Sequence, residues 1–205
     1  MKVKEILNQT PVIPVMVIKN LEDAVPLATA LVDGGLKVLE ITLRTPVAIE
    51  AIKQIKQALP NAIVGSGTVI DAQTLEASLQ ADVDFIVSPG VNSELIQEAK
   101  TTGAKLLPGA ATPSEVMNLM HHGFEAMKFF PAEAAGGVPM LKSIGGPLPQ
   151  VTFCPTGGIN LENAKNYLSL NNVACVGGTW MLNQQTIEQK DWNQITQLAK
   201  QASQI

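Results

Sequence analysis

This 205-residue chain contains one arginine, two cysteines and two histidines, and aromatic residues make up only 4% of it. Each shortage excludes a class of protein. With no cluster of Lys and Arg, few aromatics and a formal net charge of -4, the chain lacks the basic groove and stacking platforms of a nucleic-acid binder. Cys154 and Cys175 each lie in an apolar segment and form neither a CxxC motif nor a disulfide framework, so both are expected to be core thiols. His121 and His122 are adjacent at an expected helix end, a place for solvated side chains rather than metal ligands. The longest apolar run, near residues 11–18, is far shorter than the roughly 20 residues that span a bilayer. A soluble cytoplasmic protein with no membrane partner is the expectation.

No low-complexity stretch or long Pro/Gly/Ser linker divides the chain. Its hydrophobic content of 46% suits a single domain over residues 1–205 that buries about 70% of its unfolded surface. Short β-branched or apolar runs recur: "PVIPVMV" at 11, "KVLEITL" at 37, "AIVGSGTV" at 62, "DFIVSPG" at 84, "AKLLPGA" at 104, "AMKFFP" at 126, "VTFCPTGG" at 151 and "VACVGGTW" at 173. Between most of them the apolar spacing is helical. In "TPVAIEAIKQIKQALP", Ile49, Ile52, Ile55 and Leu59 fall at steps of three and four, the stripe of a helix that covers a sheet. Thr45-Pro46 and Thr112-Pro113 each offer an N-cap followed by proline, Glu115 completes a capping box with Thr112, and Gly34, Gly103 and Gly123 stand where helices should stop. Eight strands alternating with helices predict an α/β fold, a (β/α)8 TIM barrel with an N-terminal helical segment. An open doubly wound sheet is the structural alternative.

Strand side chains alternate between two faces, and a barrel gathers its active site at the C-terminal ends of its strands. In "VLEITLR", Leu39, Ile41 and Leu43 form an apolar face that must meet helices, which turns Val38, Glu40, Thr42 and Arg44 the other way. By the same parity Ala126, Lys128 and Phe130 oppose Met127 and Phe129. Glu40 and Lys128 are therefore both expected inside the barrel. A structural ion pair is the plain reading, but desolvation makes buried ion pairs a poor source of stability. A desolvated lysine favours its amine form and is a candidate Schiff-base nucleophile, with a nearby carboxylate to shuttle protons.

Arg44, just past the second strand, offers a forked and permanently charged partner for a substrate carboxylate, and Thr68, after "GSG", adds a hydroxyl at the same rim. The seventh and eighth runs end in "PTGGIN" and "VGGTW", so two Gly-Gly turns occur at equivalent points of adjacent units. Loops at these places in barrel enzymes commonly bind phosphate, because glycine lets backbone N–H groups approach the oxygens.

Taken in order, "PVIPVMVI", "GGLKVLEITLRT", "VGSGTV", "FIVSPG", "KFFPAEAAGG", "FCPTGGI" and "VGGTW" give the chain a resemblance, over nearly its whole length, to the 2-keto-3-deoxy-6-phosphogluconate (KDPG/KHG) aldolase family of class I aldolases. The resemblance implies that Lys128 forms the Schiff base, Glu40 is the acid/base, and Arg44 and Thr68 hold the pyruvyl end of a phosphorylated 2-keto sugar acid. It also implies that Pro89 and Phe130 line the pocket and that Gly157, Gly158, Gly178 and Thr179 bind the phosphate, with Thr179 standing where serine is expected in the family. No cofactor or metal, and a homotrimer, are implied as well. Two rivals remain from these residues. One is a 2-dehydro-3-deoxy-6-phosphogalactonate aldolase, which differs in C4 stereochemistry. The other is a catalytically silent phosphosugar-binding barrel, which has no use for both an inward lysine and a carboxylate.

Overall fold

The computed structural model describes residues 1–205, and every β-branched run becomes a strand. These are β1 (Val12–Met16), β2 (Val38–Thr42), β3 (Ile63–Gly67), β4 (Phe85–Val87), β5 (Leu106–Leu107), β6 (Gly109–Ala110), β7 (Ala126–Phe129), β8 (Thr152–Pro155) and β9 (Val176–Gly178). Nine segments stand where eight are expected, because the fifth run is interrupted at Pro108, which has no N–H to donate to a ladder. The helices are α1 (Val3–Leu7), α2 (Ala24–Asp33), α3 (Ala48–Ala58), α4 (Ala72–Gln80), α5 (Ser93–Thr102), α6 (Pro113–His121), α7 (Gly137–Gly145), α8 (Ala164–Leu168), α9 (Gln184–Glu188) and α10 (Trp192–Ser203). None is long and apolar enough to cross a membrane.

All strand pairings are parallel, and they form a curled six-stranded sheet in the order β5-β4-β3-β2-β1-β9 and a three-stranded sheet in the order β6-β7-β8. The architecture is thus α/β with a parallel sheet, as the alternating runs predict. The continuous eight-strand ladder of the barrel expectation is replaced by these two arcs, which approach through the isolated parallel bridges Phe153↔Val173 and Thr156↔Gly177.

Helix punctuation holds at Thr112, whose hydroxyl accepts from the Glu115 N–H at 3.3 Å while the Glu115 carboxylate accepts from the Thr112 N–H at 2.9 Å. Gly103 closes α5 in the left-handed conformation, and α2 stops at Gly34 with the left-handed turn falling on Gly35. Thr45 is not an N-cap. Its hydroxyl donates to the Ile18 carbonyl at 2.6 Å, so α3 starts only at Ala48.

Two apolar layers follow from strand parity. Leu39, Ile41, Met127 and Phe129 pack outward against α2, α3 and the other covering helices in the large core. Val38, Phe85, Val87, Ala126, Cys154 and Cys175 form a separate inner cluster, closed from below by Ile6 and Leu7 of α1. Both cysteines are buried core thiols, and Cys175 is held protonated, its pKa raised first by a hydrogen bond with Cys154 and then by burial. Glu40 and Lys128 lie two residues beyond Val38 and Ala126, one layer above this floor, toward the C-terminal ends of their strands.

Candidate active site

The charged pair forms as parity requires. Lys128 Nζ lies 3.3 Å from Glu40 Oε1, and each residue is only 4% exposed. Lys128 is held in register between Gly109 of β6 and Cys154 of β8, Glu40 between Val15 of β1 and Gly65 of β3. The ammonium also sits 5.2 Å from the centroid of the Phe130 ring, within cation–π range. A lysine so placed has one polar partner and an aromatic wall, and little of it meets solvent.

Gly67 was not singled out from the sequence, and it makes the pair possible. A Cβ there would lie 2.2 Å from Glu40 Oε1 and 2.8 Å from both Cδ and Cγ, so the carboxylate occupies the space that any side chain would fill. Gly65 does the same for the Phe85 ring, which a Cβ would meet at 2.5 Å. The alternate glycines of "GSG" carried this signal, since by parity both face inward with Glu40. Gly67→Ala keeps a backbone any residue can adopt but displaces the carboxylate. Turnover is expected to fall by about 10²-fold, the cost of misplacing a participating group by roughly 1 Å. Steady-state rates read beside a circular dichroism melt check this. Unchanged rates would mean that the position of Glu40 is not critical.

Arg44 stands at the rim, exposed, with its Nε donating to the Thr68 hydroxyl at 3.1 Å. No hydrogen bond joins Arg44 to Glu40 or Lys128, so these two predicted residues form a neighbouring unit rather than part of the buried pair. Thr68 has a left-handed backbone, φ +62°, which turns the chain immediately after β3. Pro89 and Phe130 line one cleft of about 100 Å³ with Gly109 and Ala110.

The two Gly-Gly turns are brought side by side, but their glycines have different reasons. Gly157 and Gly158 have φ +107° and +79°, conformations that other L-residues avoid. Gly177 and Gly178 instead leave room for neighbours: a Cβ would strike the Thr156 hydroxyl at 2.2 Å and the Trp180 ring at 1.9 Å, respectively. Thr179 is exposed and faces a cavity of about 470 Å³, lined also by Val15, Val17, Lys19 and Lys190. That cavity includes neither Lys128 nor Glu40. No group of three or more His, Cys, Asp or Glu side chains is placed to hold a metal ion, and His121 and His122 sit at the end of α6, where the chain leads into the start of β7 rather than out of the C-terminal end of a strand.

A parallel α/β sheet with a buried lysine–carboxylate pair between its strands is the arrangement that a Schiff-base lyase requires. The family description of KDPG and KHG aldolase matches residues 3–198. The KHG/KDPG aldolase of Escherichia coli strain K12 is 48% identical over 97% of this chain and 93% of its own length. The chain belongs to the KDPG and KHG aldolase family. Among solved structures, the KDPG aldolase of Legionella pneumophila, with pyruvate captured at low pH as a covalent carbinolamine intermediate, superposes with a TM-score of 0.97 at 47% identity, covering 99% of this chain and 98% of that one. The aldolase of Zymomonas mobilis ZM4 with 3-phosphoglycerate gives 0.92 at 47% identity, covering 97% and 93%.

Proposed function

We propose that this chain is a class I aldolase that cleaves 2-dehydro-3-deoxy-6-phosphogluconate to pyruvate and glyceraldehyde 3-phosphate and also acts on 4-hydroxy-2-oxoglutarate. The observation that carries the reading is the buried 3.3 Å contact between Lys128 and Glu40. Family membership and the pyruvate-bound and 3-phosphoglycerate-bound relatives support the substrate class.

The unprotonated amine of Lys128 attacks the C2 ketone, and Glu40 delivers the proton that lets water leave, giving an iminium. That iminium is the electron sink, so the chemistry calls for neither metal nor cofactor. Glu40 then takes the C4 hydroxyl proton as the C3–C4 bond breaks, releasing the phosphorylated aldehyde and leaving an enamine. Protonation at C3 and hydrolysis free pyruvate and regenerate the amine. Arg44 and Thr68 hold the pyruvyl carboxylate, Pro89 and Phe130 flank the reacting carbons, and Gly157, Gly158, Gly178 and Thr179 receive the phosphate. Residues 1–205 act as one domain. Its two sheets close into a (β/α)8 barrel, a reading supported by the isolated bridges Phe153↔Val173 and Thr156↔Gly177 beside β8 and β9 and by the adjacency of β5 and β6 around Pro108. A cytoplasmic homotrimer is the assembly that the family resemblance favours.

Pyruvate release from the phosphogluconate and phosphogalactonate epimers at C4, coupled to NADH oxidation by lactate dehydrogenase, tests the substrate. The gluconate epimer is expected to have a kcat/KM at least about 10-fold higher, the 1.4 kcal/mol that one differential contact supplies. Preference for the other epimer moves the chain to phosphogalactonate cleavage, and no release from either removes the aldolase reading.

A further inference from the structure

The one tyrosine of the chain, Tyr167, is fully buried in α8, the helix that follows the Gly157–Gly158 turn. Its hydroxyl donates to Glu133 Oε1, a carboxylate five residues past Lys128 in the turn that leaves β7. The proposed mechanism uses neither residue. Burial, and then the hydrogen bond to Glu133, raise the Tyr167 pKa, so the phenol stays a donor throughout the working pH range.

The two turns are stitched together around this bond. Ala132 N–H donates to the Thr156 carbonyl at 2.8 Å and Glu133 N–H to the Gly157 carbonyl at 3.0 Å. The Glu133 side chain lies across Gly158, where a Cβ would meet its Cγ at 2.6 Å and its Cβ at 2.8 Å. Asn163 Nδ2 ties the Gly158 carbonyl to the start of α8 at 3.1 Å. Glu133 is otherwise an exposed residue, so a carboxylate with water available is bound to a buried phenol instead. Such a bond fixes where the carboxylate sits, and where it sits decides the shape of the glycine turn beneath it.

We propose that Glu133 and Tyr167 are positioning residues: their hydrogen bond locks the Gly157–Gly158 turn to the segment carrying Lys128 and so sets the distance between the Schiff-base amine and the substrate phosphate. The proposal rests on the aldolase reading above. A phosphate held at a fixed distance orients the reacting carbons, and a loosened turn loses that advantage on phosphorylated substrates alone.

Tyr167→Phe removes the bond while keeping the ring. Its KM for 2-dehydro-3-deoxy-6-phosphogluconate is expected to rise about 10-fold, the low end for a hydrogen bond to a charged group. The inhibition constant of inorganic phosphate, measured against 4-hydroxy-2-oxoglutarate cleavage, should rise by the same factor, while kcat/KM for 4-hydroxy-2-oxoglutarate stays within about twofold. Glu133→Gln keeps a neutral acceptor for the phenol, so its KM and phosphate inhibition constant are expected to rise by less than those of Tyr167→Phe. Equal losses on both substrates, or an unchanged KM and phosphate inhibition constant, overturn the proposal. If Tyr167→Phe does not fold, Glu133→Ala removes the same bond from the exposed side and is read by the same two constants. Wild-type protein that releases pyruvate from neither substrate overturns the aldolase reading and this proposal with it. Wild-type activity on both, with indifferent variants, overturns only the positioning pair.

Discussion

Lys128→Met is expected to abolish turnover, because Lys128 is the one buried lysine and every later step of the proposed mechanism depends on its iminium. In the wild-type protein, pyruvate and borohydride should leave a reduced adduct that peptide mass mapping assigns to Lys128; a modification at Lys105 or Lys142, or none, removes the Schiff-base mechanism. The substitution also has a structural cost. Methionine packs well in an apolar site, but it leaves the Glu40 carboxylate without its cation where each member of the pair is 4% exposed. Removing one partner of a buried pair typically costs about 3–5 kcal/mol, a loss that a domain stable by about 5–15 kcal/mol survives. The variant should therefore remain folded with a lowered Tm, and Lys128→Met combined with Glu40→Gln should recover part of it. Full recovery of Tm with no recovery of activity would separate the chemical role of the lysine from its pairing.

Glu40→Gln keeps the shape of the side chain and an acceptor oxygen beside Lys128 but cannot carry a proton. Cleavage should fall by about 10²–10⁴-fold, the usual contribution of a positioned general acid/base. The amine remains, so borohydride should still trap pyruvate on Lys128, only more slowly. That split distinguishes proton transfer from nucleophilic attack: loss of both trapping and turnover would mean that the substitution disturbs the lysine itself. Near wild-type turnover across the pH range would make Glu40 structural, and another base would have to serve.

The inward placement of Glu40 and Lys128 was legible in the chain because side-chain alternation along a strand is local geometry. Once Leu39, Ile41, Met127 and Phe129 are assigned to the helices, the polar residues between them have one direction left. The eight apolar runs and the Thr112–Glu115 capping box were legible for the same reason, since propensity, alternation and capping act over a few residues. What the chain could not tell was decided across long separations. Thr45 resembles an N-cap by its neighbours, but its hydroxyl is taken by Ile18, 27 residues earlier. Gly67 is small because of a carboxylate on the next strand, and Glu133 meets Tyr167 across 34 residues. The 3.3 Å contact itself joins residues 88 apart. Sequence thus determined which way each strand residue faces and which chemistry its side chain offers. Only the curl of the parallel sheet decided which of them meet, because register and curvature fix distances between strands that no local preference encodes.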